Sequence, residues 1–100
     1  MELKGKKALI LIEDEYEDLE AWYPKLRLIE AGAEVVVAGP EKKTYHGKKG
    51  YPMEADARVE DINWKDFDVV VIPGGYAPDK LRRYKAVLKV VKAMGDAGKV

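Results

Sequence analysis

Apolar residues in this chain fall into short unbroken runs separated by stretches of helical spacing. That pattern belongs to strands buried on both faces that alternate with covering helices. Residues 8–12 (ALILI), 34–38 (EVVVA) and 68–72 (DVVVI) are three such runs. Between the first two, Leu19, Trp22, Leu26 and Ile29 recur at helical spacing and predict a core-facing stripe. Asp14 followed by Glu17 reads as a capping box opening that helix. Pro24 predicts a kink or a restart, and Gly32 a C-terminal cap. Residues 44–46 and 51–54 flank the loop Gly47-Lys48-Lys49-Gly50 and predict a hairpin, while 61–65 fit one helical turn. After the third run, Pro78 and Asp79 open a long helix with Leu81, Tyr84, Leu88 and Val91 on one stripe, closed by Gly98. The order β-α-β-hairpin-β-α predicts a mostly parallel sheet with helices on both faces. Lys99-Val100 reads as the first step of another strand, so the sheet is expected to be incomplete at its C-terminal end.

Composition narrows the chemistry. One hundred residues make at most one domain, and 18 basic against 18 acidic residues leave no nucleic-acid or membrane footprint. No apolar run spans a bilayer and no leader pattern is visible, so a cytoplasmic setting is expected. Few amides among many Lys and Glu fit a thermophile. Cys and Ser are absent and His46 is the one histidine, so these residues alone assemble no Ser or Cys nucleophile with a histidine base. No metal-ligand spacing occurs, and no cofactor is expected. The loop after the first strand is acidic where a flavin phosphate needs Gly, Ser and Thr. The third strand runs into Pro73-Gly74 with no phosphoacceptor Asp, which excludes a receiver domain.

In open α/β sheets the ligand crevice lies beyond the strand C-termini. Two loops leave strands there: Glu13-Asp14-Glu15-Tyr16-Glu17-Asp18 with Glu20 beyond it, and residues 73–79 (PGGYAPD). Six carboxylates fall within eight residues of the first. Helix capping and dipole complementarity account for Asp14, Glu15 and Glu17. Glu20, beside Leu19 and near Trp22, is expected to be partly buried, so that like charges and desolvation keep it protonated as a donor or proton shuttle. Gly74-Gly75 reads both as a tight turn and as a place where backbone N–H groups reach a substrate oxygen. His46 and Lys42, Lys43, Lys48 and Lys49 read as a solvated surface, and Trp22 and Tyr23 as packing residues.

Taken together, residues 12–24 (IEDEYEDLEAWYP), 47–52 (GKKGYP) and 66–82 (DFDVVVIPGGYAPDKLR) resemble the DJ-1/PfpI family, nearest its PfpI-type cysteine peptidase and deglycase branch. The specific parts are E-D-x-E-x-x-x-P (Glu17, Asp18, Glu20, Pro24) and P-G-G-x-x-P-[DE] (Pro73 to Asp79). The resemblance implies a flavodoxin-like three-layer fold, with residues 1–100 as the N-terminal portion of one DJ-1/PfpI domain. It implies a cysteine on a strand-to-helix elbow shortly after the segment matching 96–100. Glu20 matches the glutamate that hydrogen-bonds this cysteine, and Glu17 a second pocket carboxylate. Gly75 matches the oxyanion amide, and Asp79 an acidic position that in PfpI-type oligomers reaches a neighbouring subunit's histidine.

The implied parent protein is a cysteine-dependent hydrolase or lyase acting on a small carbonyl or peptide substrate: an intracellular peptidase, a deglycase or a glutathione-independent glyoxalase. It would form a homo-oligomer, a dimer or hexamer. The alternative is a non-enzymatic redox or stress-response protein of the same family, whose cysteine is oxidised to a glutamate-stabilised sulfinate. The hundred residues themselves carry the scaffold without the nucleophile.

Overall fold

The computed structural model describes residues 3–75 and 80–99. Its centre is a four-stranded parallel sheet of β1 (Lys7–Leu11), β2 (Glu34–Gly39), β5 (Ala57–Arg58) and β6 (Val69–Val71), in the order β5-β2-β1-β6. β1 pairs with β2 from Lys7↔Glu34 to Leu11↔Ala38, and on its other side with β6 from Ala8↔Val69 to Ile10↔Val71. A separate antiparallel hairpin joins β3 (Thr44–His46) to β4 (Pro52–Glu54). The three sequence-predicted strands and the hairpin are all present.

Side-chain alternation along β1 divides the core into two layers. Leu9 and Leu11 face α2 (Lys85–Asp96), packing with its Val87, Val90 and Met94 and with Phe67 and Leu81. Ile10 and Ile12 face the other way, onto Ala21 of α1 (Asp18–Glu30) and onto Tyr16, Tyr45 and Met53. The result is the expected three-layer, flavodoxin-like α/β arrangement, with α1 on one face of the sheet and α2 on the other.

Several expectations need correction. The stripe Leu19, Leu26 and Ile29 of α1 points away from the core, Leu19 being 74% exposed, and Tyr23 is exposed as well. What α1 buries is Asp18 and Ala21, with Trp22 packed partly against the core. Small Ala21 lets the helix lie close on the sheet, so the larger residues fall on the outer side. Pro24 does not divide α1, which runs through it as one helix. The helix then ends on Gly32 at φ +96, with Gly32 N–H donating to Ile29 O and Ala33 N–H to Leu28 O, the paired bonds of a Schellman cap.

The second helix also differs. Its expected start at Pro78 and Asp79 lies outside the described residues. Residues 80 and 81 are helical, and Leu81 is buried as expected. After a turn at 82–83 and an extended Tyr84, a second helical stretch, Lys85–Asp96, follows, with Val87, Val90 and Met94 buried, Val91 partly buried, and Tyr84 and Leu88 exposed. The single turn expected at 61–65 is two 3-10 turns, Val59–Asp61 and Trp64–Asp66. Between hairpin and turns, the two-residue strand β5 was not legible in the pattern; Asp56 leads into it by exchanging bonds with Val37, N–H to O at 2.7 Å and N–H to carboxylate at 2.8 Å.

Candidate active site at the strand ends

The loops after β1 and β6 meet at the carboxyl edge of the sheet. Glu17 N–H donates to Gly74 O at 2.9 Å, and Tyr16 and Gly75 form an isolated antiparallel bridge. Because the flanking residues make that bond, Tyr16 and Gly75 are a non-hydrogen-bonded pair, and Gly75 turns its own N–H away from Tyr16. No acceptor for the Gly75 N–H is present among the described residues.

Glycine is required at both positions of this turn. Gly75 has φ +86, and a Cβ there would stand 2.6 Å from Glu15 O and 2.9 Å from Glu17 N. A Cβ on Gly74 would collide with Glu20 Oε1. The turn is therefore glycine first because another chain segment and a carboxylate lie against it.

Each acidic residue of the first loop has a distinct partner. Glu20 Oε1 accepts the Gly74 N–H at 2.8 Å. Glu17 Oε2 lies 3.7 Å from Lys48 Nζ, and Glu15 Oε1 3.8 Å from Lys80 Nζ. Asp14 Oδ1 accepts His46 N–H at 3.0 Å, while the His46 carbonyl accepts Glu15 N–H at 2.8 Å. Glu13 is buried and accepts the Asp14 N–H. Asp18, 3% exposed, accepts Lys49 N–H at 2.9 Å and Tyr51 N–H at 3.1 Å.

These partners revise the reading of the cluster. Asp14 and Glu17 do not form a capping box: α1 starts at Asp18, its N-cap is Glu17, and Glu17 makes no side-chain cap bond. Asp14 instead ties the loop to the hairpin, and Glu15 is a positive-φ residue at 64°. Glu20 is exposed, not partly buried, although its Oε1 lies against Gly74 at the rim of the turn. Glu17, Glu20 and Gly75 are brought together around one turn; Asp79 lies outside the described residues.

Two residues gain importance that the pattern did not give them. Asp18 is a buried carboxylate anchoring the 47–51 loop, and Gly47 has no side chain because a Cβ would strike that carboxylate. Lys48, read as solvated rim, lies over Gly75, its Cδ 3.1 Å from where a Cβ would be. The legible signal was the glycine on each side of the two lysines in GKKG.

Tyrosines support this edge from below. Tyr16 is fully buried and donates its hydroxyl to Tyr51 O at 2.6 Å. Burial pushes its phenol above the ordinary value; the Trp22 indole opposes that and the Asp18 charge adds to it. The indole N–H is buried near Tyr16 but falls short of hydrogen-bond geometry with any acceptor among the described residues. Tyr45 is likewise buried, pushed up to about 12 by desolvation and bonded to the Glu41 backbone at both N (2.8 Å) and O (2.9 Å). Among the described residues no group of His, Asp and Glu side chains converges as a metal site, and no helix is long and apolar enough to cross a membrane.

The sequence model described as the DJ-1/PfpI family matches residues 6–100. The chain belongs to the DJ-1/PfpI family. Among family relatives, a protein named as a deglycase from Pyrococcus abyssi is 40% identical over 93 residues, covering 93% of this chain and 56% of the relative. A Bacillus subtilis protein named as a putative cysteine protease is 40% identical over 79 residues, 78% of this chain and 47% of the relative. A crystal structure of a two-domain protein with DJ-1/ThiJ/PfpI-like and ferritin-like domains, from Anabaena variabilis, superposes with a TM-score of 0.91 at 42% identity. It covers 95% of this chain and 28% of that one. The chain thus spans about half the length of the curated DJ-1/PfpI relatives it matches. Relatives with enzyme names are among them.

Proposed function

We propose that these residues form one wall of a thiol-dependent carbonyl-processing site, and that the intact protein is a cysteine hydrolase or lyase of the deglycase type. The observation that carries the reading is the Glu20–Gly74 hydrogen bond, 2.8 Å long, beside a Gly75 amide turned away from its partner strand. It combines a carboxylate and a backbone donor at the C-terminal edge of a parallel sheet. The sequence contains no cysteine, so in this reading the thiol comes from outside these hundred residues.

In this reading the thiolate adds to a carbonyl carbon, forming the C–S bond while the C=O π pair moves to oxygen. The Gly75 N–H donates to that oxyanion, Glu20 exchanges a proton with the sulfur or the adduct, and Glu17 lines the same pocket. A thiol at the N-terminus of the following helix would be substantially thiolate at neutral pH. Deglycation, peptide hydrolysis and conversion of a 2-oxoaldehyde to a hydroxy acid share this first step. The enzyme names of the relatives favour deglycation. The matching position of Asp79 and the apolar outer face of α1 support a homo-oligomer whose neighbouring subunit completes the site.

The test is turnover of a methylglyoxal-modified amino acid or peptide by the intact protein, with and without prior iodoacetamide. Release of the free amine that is abolished by alkylation, and reduced about a hundredfold by Glu20→Gln, is the expected result. Release unaffected by alkylation would sink the thiol mechanism.

A further inference from the structure

The loop from Gly47 to Tyr51 is more tightly held than a solvated lysine turn requires. Asp18, buried at the start of α1, accepts the Lys49 and Tyr51 amides at 2.9 and 3.1 Å. Gly47 N–H donates to Tyr51 O, Gly50 N–H to Gly47 O, and Lys48 N–H to Tyr16 O at 2.9 Å. Gly47 leaves room for the Asp18 carboxylate, and Gly50 takes a φ of +88. Each bond fixes backbone on either side of Lys48. The side chain that emerges runs over the Gly75 turn and brings Nζ to 3.7 Å from Glu17 Oε2.

We infer that Lys48 is a positioning residue of the site, carried on a loop that Asp18 anchors, whose ammonium holds Glu17 and offsets the negative charge around Gly75. The inference rests on the reading of Glu17, Glu20 and Gly75 given above. Its physical basis is a conflict within that reading. An oxyanion forming at the Gly75 amide would develop close to two carboxylates, and like charges oppose it. An ammonium fixed beside one of them cancels that opposition without reorganising during the reaction. The lysine stem, lying on the glycine, also limits how much water reaches the amide.

The experiment uses the intact protein and two readouts. The first is alkylation of the thiol by neutral iodoacetamide and by anionic iodoacetate, compared as a ratio of rates. Lys48→Met, which keeps the stem and removes the charge, should slow iodoacetate about fivefold relative to iodoacetamide, and Lys48→Arg should not. The second is turnover. Lys48→Met should lower kcat about tenfold with little change in KM, and the loss should largely vanish in a Glu17→Gln background. The melting temperature should stay constant, since the side chain is partly exposed and the loop is held through its backbone amides and the Asp18 carboxylate, none of which the substitution touches.

An unchanged alkylation ratio, or losses that simply add in the double variant, would overturn the role of Lys48 while leaving the thiol reading intact. A wild-type protein that neither alkylates nor turns over carbonyl substrates would overturn that reading, and this inference with it.

Discussion

At Gly75 the backbone conformation and the crowding can be separated by mutation. Gly5 and Gly75 share a φ of +86, yet a Cβ on Gly5 meets nothing within 4 Å, whereas one on Gly75 meets Glu15 O and Glu17 N. Gly5→Ala should therefore cost about 1 kcal/mol, from left-handed strain alone. Gly75→Ala should cost about 2–4 kcal/mol, because it also pushes apart the segments joined by the Glu17–Gly74 bond. Denaturant unfolding of the two variants gives the comparison, and equal losses would remove the crowding argument. At this scale the sequence was informative about glycines and acids but not about their partners. PGG and the carboxylate run marked the right two loops. That Asp14 binds the hairpin, or that Glu20 faces solvent, depends on how three loops stack, and residue order does not encode that locally. Lys48 was legible only through its flanking glycines, for the same reason: its direction toward Gly75 depends on backbone bonds to Asp18 and Tyr16 made across about thirty positions.

Individual elements show where periodicity succeeds and where it misleads. Strands were legible because a run buried on both faces needs no phase. Both helices were found but only partly oriented: Trp22, Leu81 and Val91 pack on the core while Leu19, Leu26, Ile29, Tyr84 and Leu88 do not, since large apolar residues predict a buried stripe only when the opposite face is polar. In α1, Ala21 contacts the sheet, Trp22 packs partly beside it, and Leu19, Tyr23, Leu26 and Ile29 face outward. The hairpin gives two predictions. Asp18→Ala leaves the Lys49 and Tyr51 amides without their acceptor and should destabilise by about 2–4 kcal/mol, with amide exchange accelerated across 47–51. Slow exchange retained in that loop would mean that another group holds it. Tyr45, like Tyr16, bears on stability at alkaline pH. Its folded pKa of about 12 stands above the ordinary 10.0, because burial disfavours the phenolate. The unfolded chain therefore loses this proton first: the stabilisation is complete below about pH 10 and disappears as pH rises through about 12. Tyr45→Phe should lower stability at neutral pH, through loss of the Glu41 bonds, and flatten its decline between those limits. Unfolding free energies measured across pH 9 to 12 at about half-unit steps would show it, and an unaltered slope would assign the alkaline loss to other groups.

For the molecule as a whole, the unsatisfied surface is the outer side of α1, where Leu19, Tyr23, Leu26 and Ile29 are 74%, 65%, 56% and 49% exposed. Four large apolar groups on one helix face form a patch of the kind that marks association. The sheet offers a second sticky feature: among the described residues β6 pairs with β1 alone, and its three valines are half-buried. These surfaces make different predictions. Association through the helix face depends on apolar side chains and should be abolished by charge placed among them. Association through β6 depends on backbone N–H and C=O groups and should ignore that charge. The helix face carries more exposed apolar surface, so the hundred-residue chain should run above 11.2 kDa in light scattering at micromolar concentration. The Leu19→Glu, Leu26→Glu double variant should return it to monomer mass without changing its circular dichroism, because neither side chain touches the core. A double variant that stays associated would transfer the contact to the β6 edge. The same pair of substitutions in the intact protein then separates the two surfaces: a homo-oligomer built on α1 dissociates, while one built elsewhere keeps its mass.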